Sequence, residues 1–174
     1  MPPKPKFTKE MLIQTAIELA KEGGLEAIVA RNLGAKLDTA PSTIFTHFNS
    51  VEEIRQAVIA EARVLYNRYV EEGLRMVPPM KGFAVQYIRF AMEEPMLYSV
   101  LFMKKREDFK YVDFIVDEGH YEKIITAAET DFSLNREQAE FVYHNMWAYA
   151  HGLAVMSATG VCKFSIDEIA QMLG

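Results

Sequence analysis

Apolar residues recur at three- and four-residue spacing along nearly the whole chain, and no stretch sustains a two-residue alternation, so the pattern predicts helices and no sheet. Leu12, Ala16, Leu19 and Ala20 mark the buried face of a first helix. Thr8 caps it and Gly23-Gly24 ends it, glycine tolerating the left-handed conformation common at helix C-termini. A second helix is expected from about Ile28 to Leu37. A third runs from about Pro41 to Phe48, where Pro41 suits the first turn and Ile44 and Phe48 share one face. Ser50-Val51-Glu52-Glu53 reads as a capping box that opens a long fourth helix to about Met76, and Pro78-Pro79 is a firm break. A fifth helix reaches about Glu93, and a short apolar one spans Met96 to Met103. Lys104-Lys105-Arg106 reads as a solvated connection to a helix from about Asp108 to Thr130. Asn135 with Gln138, and Ser165 with Glu168, are further capping boxes. The first opens a long helix to about Ala158, closed by Gly160; the second opens a final helix to about Leu173. The expected fold is all-α. A three-helix head over residues 1–50 is joined to a larger helical body over residues 51–174.

Composition narrows the class. The chain has 174 residues, enough for one substantial core or two small ones. No apolar run approaches the roughly 20 residues that span a bilayer. The N-terminus MPPKPKFTKE lacks the apolar core of a signal peptide. Cys162 is the sole cysteine, which excludes an intrachain disulfide, so a cytoplasmic protein with no membrane partner is expected. The net charge is −5. It divides unevenly: residues 1–50 hold six Lys/Arg against five acids, a balance of +1, which leaves −6 on the body. A less acidic head on an acidic body is compatible with DNA at the head.

The candidate chemistry is of two kinds. On the third helix the face opposite Ile44 and Phe48 carries Ser42, Thr43, Thr46 and His47, all small or neutral polar groups. Such a helix suits the major groove of DNA, and it also suits an ordinary solvated surface. The body is rich in aromatics and methionine, including Phe109, Phe114 and Met146, and core packing accounts for most of them. Tyr143, Trp147, Ala150 and His151, however, fall on one helix face, and an apolar cavity with a few polar tips would hold a small apolar or aromatic effector. Metal binding is not supported, because His144 and His151 are seven residues apart rather than four. No phosphate loop, nucleophile elbow or dinucleotide fingerprint is present, and Cys162 beside Lys163 reads as an ordinary loop thiol. No enzyme, cofactor or metal is expected.

The order helix, Gly-Gly, Arg31-Asn32-Leu33-Gly34, turn, Thr43-Ile44-Phe45-Thr46-His47-Phe48, then Asn49-Ser50-Val51-Glu52-Glu53-Ile54 resembles the tetracycline-repressor (TetR) family of bacterial transcription regulators. Glu94-Pro95-Met96-Leu97-Tyr98 and Met146-Trp147-Ala148-Tyr149-Ala150-His151-Gly152-Leu153 resemble the family's body subclass marked by Trp and then His-Gly. The resemblance implies a helix-turn-helix head that binds double-stranded DNA at a palindromic operator. The DNA-contacting set it implies is Lys9, Arg31, Thr39, Pro41, Ser42, Thr43, Phe45, Thr46 and His47. Lys4 and Lys6, with Lys9, lie either against the adjacent groove or backbone or in a basic tail. It also implies an effector site in the body, drawn from Phe83, Tyr87, Phe90, Tyr98, Phe102, Tyr121, Tyr143, Trp147 and His151. The last two helices would form a homodimer through Ala139, Val142, Met146, Tyr149, Leu153, Met156, Ile166, Ile169 and Leu173, unless that face is buried in the monomer. His151-Gly152 is read as a point of close helix packing. The function implied is a ligand-responsive repressor. An activator of the same fold, and a small-molecule-binding helical protein with a vestigial head, are the alternatives.

Several positions depart from the family pattern. Asp38-Thr39-Ala40 stands in place of Gly-Val-Ser, which puts an aspartate where a left-handed residue is expected. Ala40 replaces a serine cap worth about 1 kcal/mol, with Thr39 as a possible substitute. Phe45 and His47 replace tyrosines, and Val51 stands where a phosphate-binding lysine is common.

Overall fold

The computed structural model describes residues 7–103 and 118–174. Lys4, Lys6, the Lys104–Arg106 connection, Phe109, Phe114 and the expected start of a helix at Asp108 lie outside the described residues. The described ones form α1 (Lys9–Gly23), α2 (Ala30–Lys36), α3 (Val51–Leu74), α4 (Pro79–Glu93), α5 (Pro95–Phe102), α6 (Glu118–Phe132), α7 (Arg136–Ala158) and α8 (Ile166–Met172). Two 3-10 helices, Leu25–Ala27 and Pro41–Thr46, complete the head. No strand occurs among the described residues. None of the described helices is long and apolar enough to cross a membrane.

Local sequence sets most helix ends. The Thr8 hydroxyl accepts from Met11 N, and Gly24 closes α1 at φ 67°. Full capping boxes start α7 at Asn135 and α8 at Ser165. The box at Ser50 is only half formed: its hydroxyl accepts from Glu53 N at 3.1 Å, while Glu53 reaches back to Asn49 N at 2.8 Å. The second helix starts at Ala30 rather than Ile28, because the chain first makes the Leu25–Ala27 turn.

One element differs in kind. Pro41–Phe48, expected as an α-helix, is a 3-10 helix over Pro41–Thr46. Its backbone bonds run Thr43 N to Ala40 O (2.9 Å) and His47 N to Ile44 O (3.3 Å). Ala40 offers no side-chain cap, Thr39 does not replace it, and Thr43, Ile44 and Thr46 are β-branched. A short uncapped run of that kind gains little from α geometry, and it settles into a 3-10 piece that is longer than most.

α3 has 24 residues, about 36 Å of helix, and spans head and body. Its buried stripe is Ile54, Val58, Ala62, Tyr66 and Val70, spaced four apart. Near its start Arg55 donates to Leu25 O (3.1 Å) and Ile28 O (3.3 Å), fastening α3 to the head. Farther on it packs against α4. α4 is apolar on almost every side and sits in the middle, against α3, α5, α6, α7 and α8. α3 and α4 meet through glycines: a Cβ on Gly73 would stand 2.6 Å from Gly82 O, and one on Gly82 would overlap Gly73 O.

Candidate nucleic-acid interface and effector core

The head is built around the turn after α2. Asp38 has φ 48°, the left-handed conformation that aspartate tolerates better than most residues. Thr39 N donates to Gly34 O at 2.9 Å and Asp38 N to Ala35 O at 3.4 Å, the two bonds of a Schellman motif with aspartate in the usual glycine place. Gly34 is needed here, since a Cβ on it would lie 2.8 Å from Thr39 O. Lys36 pairs with Glu22 (2.7 Å) and Glu18 (3.4 Å), holding α2 to α1.

Beyond the turn, Ile44 and Phe48 are buried, as the pattern predicts. Pro41, Ser42, Phe45 and Thr46 are exposed on the outer side, with Phe45 46% exposed. Thr39 and Thr43 are half-buried beside them, and Arg31 and Lys9 are exposed nearby. Thr46 Oγ1 donates to Thr43 O at 2.8 Å, which leaves its lone pairs outward. Lys9 Nζ lies 4.6 Å over the Phe48 ring. His47 turns partly inward: its Nε2 is 3.2 Å from Phe7 O and its ring rests on Phe7. His47 thus ties down the entry to α1 in addition to flanking the outer face. A small hydroxyl-lined surface of this kind matches phosphate oxygens and base edges in a groove.

In the body the nine expected effector residues come together around α4. Phe83, Tyr87, Phe90, Tyr98 and Tyr143 are buried, and Phe102, Tyr121, Trp147 and His151 are half-buried. Ring contacts link Phe83 to Tyr87 and Tyr143, Tyr121 to Tyr143, and Phe102 to Phe90, Tyr87 and Tyr98. The Tyr87 and Tyr98 hydroxyls each lie 2.8 Å from His151 Nδ1 and 3.4 Å from one another. Trp147 stacks on His151 with ring centroids 4.7 Å apart. Burial holds the His151 imidazole below its ordinary pKa and pushes the Tyr98 phenol up to about 12, so both are neutral at physiological pH.

Tyr66 of α3 belongs to the same cluster and was missed by the sequence reading. Its ring meets Tyr87, Phe90 and Phe102. The signal was present in the four-residue stripe of α3, where Tyr66 follows Ala62. Among the described residues, Tyr66 Oη, Trp147 Nε1 and Gln86 Oε1 are buried without a hydrogen-bond partner. Two surface grooves lie away from this cluster. One of about 490 Å3 is lined by Leu74, Pro79, Thr126 and Asp131 among others. One of about 560 Å3 lies beside Leu134, Phe141 and Val142. No group of three or more His, Cys, Asp or Glu among the described residues is placed to hold a metal ion.

The expected dimer stripe divides in two. Ala139, Leu153 and Ile169 are buried inside the protomer, so they serve its own core. Val142, Met146, Met156, Ile166 and Leu173 are half-buried, and Tyr149 is 47% exposed. The outer face of α7 is carried instead by Phe141 (69% exposed), Asn145, Ala148 and Gly152. Gly152 was expected at a close helix contact, yet a Cβ there would meet nothing within 4 Å.

α5 joins the two regions. At its start Glu94 pairs with Lys21 of α1 at 2.6 Å, and the Met96 methyl group lies close to Gly24. Farther along, Tyr98 meets His151, and at its end Phe102 packs against Tyr66 and Tyr87.

Comparison with known proteins agrees with this layout. No family model matches the chain. An uncharacterised HTH-type transcriptional regulator of Mycobacterium tuberculosis is 24% identical over 162 residues, covering 90% of this chain and 72% of the relative. The uncharacterised HTH-type transcriptional regulator YobS of Bacillus subtilis is 23% identical over 107 residues, covering 60% of this chain and 56% of the relative, little more than half its length. Among solved structures, a TetR-like transcriptional regulator from Rhodococcus sp. RHA1 superposes with a TM-score of 0.65 at 13% identity, over 99% of this chain and 93% of the other. A Clostridium perfringens protein named as a candidate fatty acid metabolism regulator gives a TM-score of 0.65 at 12% identity, over 93% of each chain.

Proposed function

We propose that this chain, which has the fold of TetR-like transcriptional regulators, is itself a DNA-binding transcription regulator. The observation that carries the reading is the head: a Schellman turn at Asp38 presents an exposed, hydroxyl-lined element over buried Ile44 and Phe48. Ser42, Thr43 and Thr46 contact phosphates and base edges, and Arg31 and Lys9 supply positive charge at the margins. Val51 in place of a lysine and Ala40 in place of a serine cap leave affinity to rest on these hydroxyls and on pairing of two heads.

The chain acts as a two-fold dimer at a palindromic operator. Its contact is the outer face of α7, where Phe141, Asn145, Ala148, Gly152 and Val155 are spaced alternately four and three apart, the seam spacing of a helix pair. Tyr149 and Met156 flank it, and Ile166 and Leu173 of α8 extend it. A small effector binds in the aromatic cluster of the body. Because α5 touches that cluster at Tyr98 and Phe102 and the head at Glu94, the effector favours a head spacing that no longer fits the half-sites, releasing the repressor.

The Ser42 hydroxyl tests the interface. Ser42→Ala is expected to cost about 1 kcal/mol per protomer, hence roughly thirtyfold in affinity for a duplex bound by two heads. Fluorescence anisotropy with a labelled duplex measures this, and Ser42 is exposed, so the melting temperature should hold. Unchanged affinity, together with an unchanged Thr43→Val variant, would remove this element from the interface.

A further inference from the structure

We propose that the polar centre of the body binds a neutral carbonyl oxygen carried on an apolar frame: a ketone, ester or quinone. This rests on the effector reading above and adds the chemistry of the ligand.

The centre is rich in donors. A single ring nitrogen, His151 Nδ1, faces the hydroxyls of both Tyr87 and Tyr98 at 2.8 Å. That nitrogen holds either one lone pair or one proton, so it completes one strong bond at a time. In one tautomer it accepts from one phenol, and the second phenol has only its neighbour's oxygen at 3.4 Å. In the other it donates, and both phenol protons need acceptors. Two more donors stand beside this trio. Trp147, stacked on His151, has its indole N–H buried without a partner among the described residues, and so does the Tyr66 hydroxyl. The Tyr66 and Trp147 rings lie 6.0 and 6.2 Å from the Tyr87 ring. Within these five side chains the imidazole nitrogen is the sole acceptor better than a phenol oxygen. Buried donors of this kind call for an acceptor.

The same residues exclude other ligand classes. No lysine or arginine is buried among the described residues, and Gln86 is the one buried side chain outside the apolar and aromatic set. Burial also keeps His151 neutral. A carboxylate or phosphate would therefore enter without a counter-charge. A pure hydrocarbon would leave the donors unpaired. A carbonyl brings two lone pairs and no charge, and Phe83, Phe90 and Phe102 supply an apolar wall for its frame. A bound water is the competing occupant.

The full chain reports on this site, because Trp147 is its only tryptophan. Two matched sets of probes are titrated by Trp147 emission and calorimetry: acetylcyclohexane, cyclohexanecarboxylate and ethylcyclohexane; then 2-heptanone, heptanoate and heptane. Each ketone is expected to bind at least tenfold tighter than its acid or hydrocarbon. Tyr66→Phe, which keeps the ring and so the packing, should remove most of that preference and leave hydrocarbon binding unchanged. Tightest binding by the acids, or a ketone preference untouched in both Tyr66→Phe and Tyr98→Phe, would overturn the carbonyl assignment. Equal binding of all three members of a set would also overturn it, while leaving an apolar effector site intact. Failure of all six to bind would assign the centre to water and remove the effector site from the body as well.

Discussion

Replacing Gly82 with alanine should lower the melting temperature by about 6–12 °C. Helix propensity alone points the other way, since alanine in mid-helix is favoured over glycine by roughly 0.5–1 kcal/mol. Packing decides the sign. The new Cβ would overlap the Gly73 carbonyl oxygen and lie 2.6 Å from Met76 Cβ, and neither Gly73 nor the α3 backbone has a rotamer to yield. The contact is tight from the other side too, with a Gly73 Cβ only 2.7 Å from Phe83 Cα. α3 and α4 must move apart, and α4 is the helix around which the body is assembled. Overpacking costs about 1–3 kcal/mol, and the upper end applies where backbone blocks relaxation. At roughly 2–4 °C per kcal/mol for a chain of this size, the shift follows. Differential scanning calorimetry measures it. A melting temperature that stays level or rises would mean that the two helices do not cross at these glycines.

Gly152→Glu separates the protomer from its proposed dimer. Within one chain the position is open, and a side chain there meets nothing within 4 Å. Losing a mid-helix glycine should, if anything, favour α7. Any damage must therefore come through a partner. In a two-fold contact Gly152 of each α7 lies near its symmetry mate or the facing helix, so glutamate would bring like charges and bulk into the seam. Sedimentation should show a folded monomer at concentrations where the parent is a dimer. DNA affinity should fall by about a hundredfold or more, because the second head no longer binds at the effective concentration set by the first. A variant that remains dimeric would move the contact off this face.

The parts of the fold legible in the sequence were those set by neighbouring residues. Thr8, Asn135 and Ser165 cap their helices because a cap needs partners only two or three positions away. Asp38 was expected in the left-handed region because the resemblance sets it where a glycine is usual, and it is there. The Pro41–Thr46 element was placed correctly along the chain but in the wrong helix type, since α and 3-10 geometries of a six-residue piece share its buried residues. The inward turn of His47 could not be read, because its partner Phe7 is forty residues away in sequence. The glycines at 73 and 82 drew no reading from the sequence, and only the helix crossing explains them. In the body, periodicity put Tyr143, Trp147 and His151 on one face and the resemblance supplied Tyr87 and Tyr98, yet neither could tell that two hydroxyls would share one nitrogen. On α7 it found apolar faces without saying which meets the protomer's own core, so Ala139 and Leu153 were placed on the wrong side.

The proposed function depends on a head that reads DNA. Selection of bound duplexes from a random-sequence library, at about 50 mM salt and with the full chain, tests that most directly. A DNA-reading head should enrich an inverted repeat whose half-sites are centred about one helical turn apart, or a small multiple of it, with Ser42→Ala weakening binding to the winning sequence. Recovery of no enriched sequence and no retained duplex, from protein that is folded and dimeric, would contradict it.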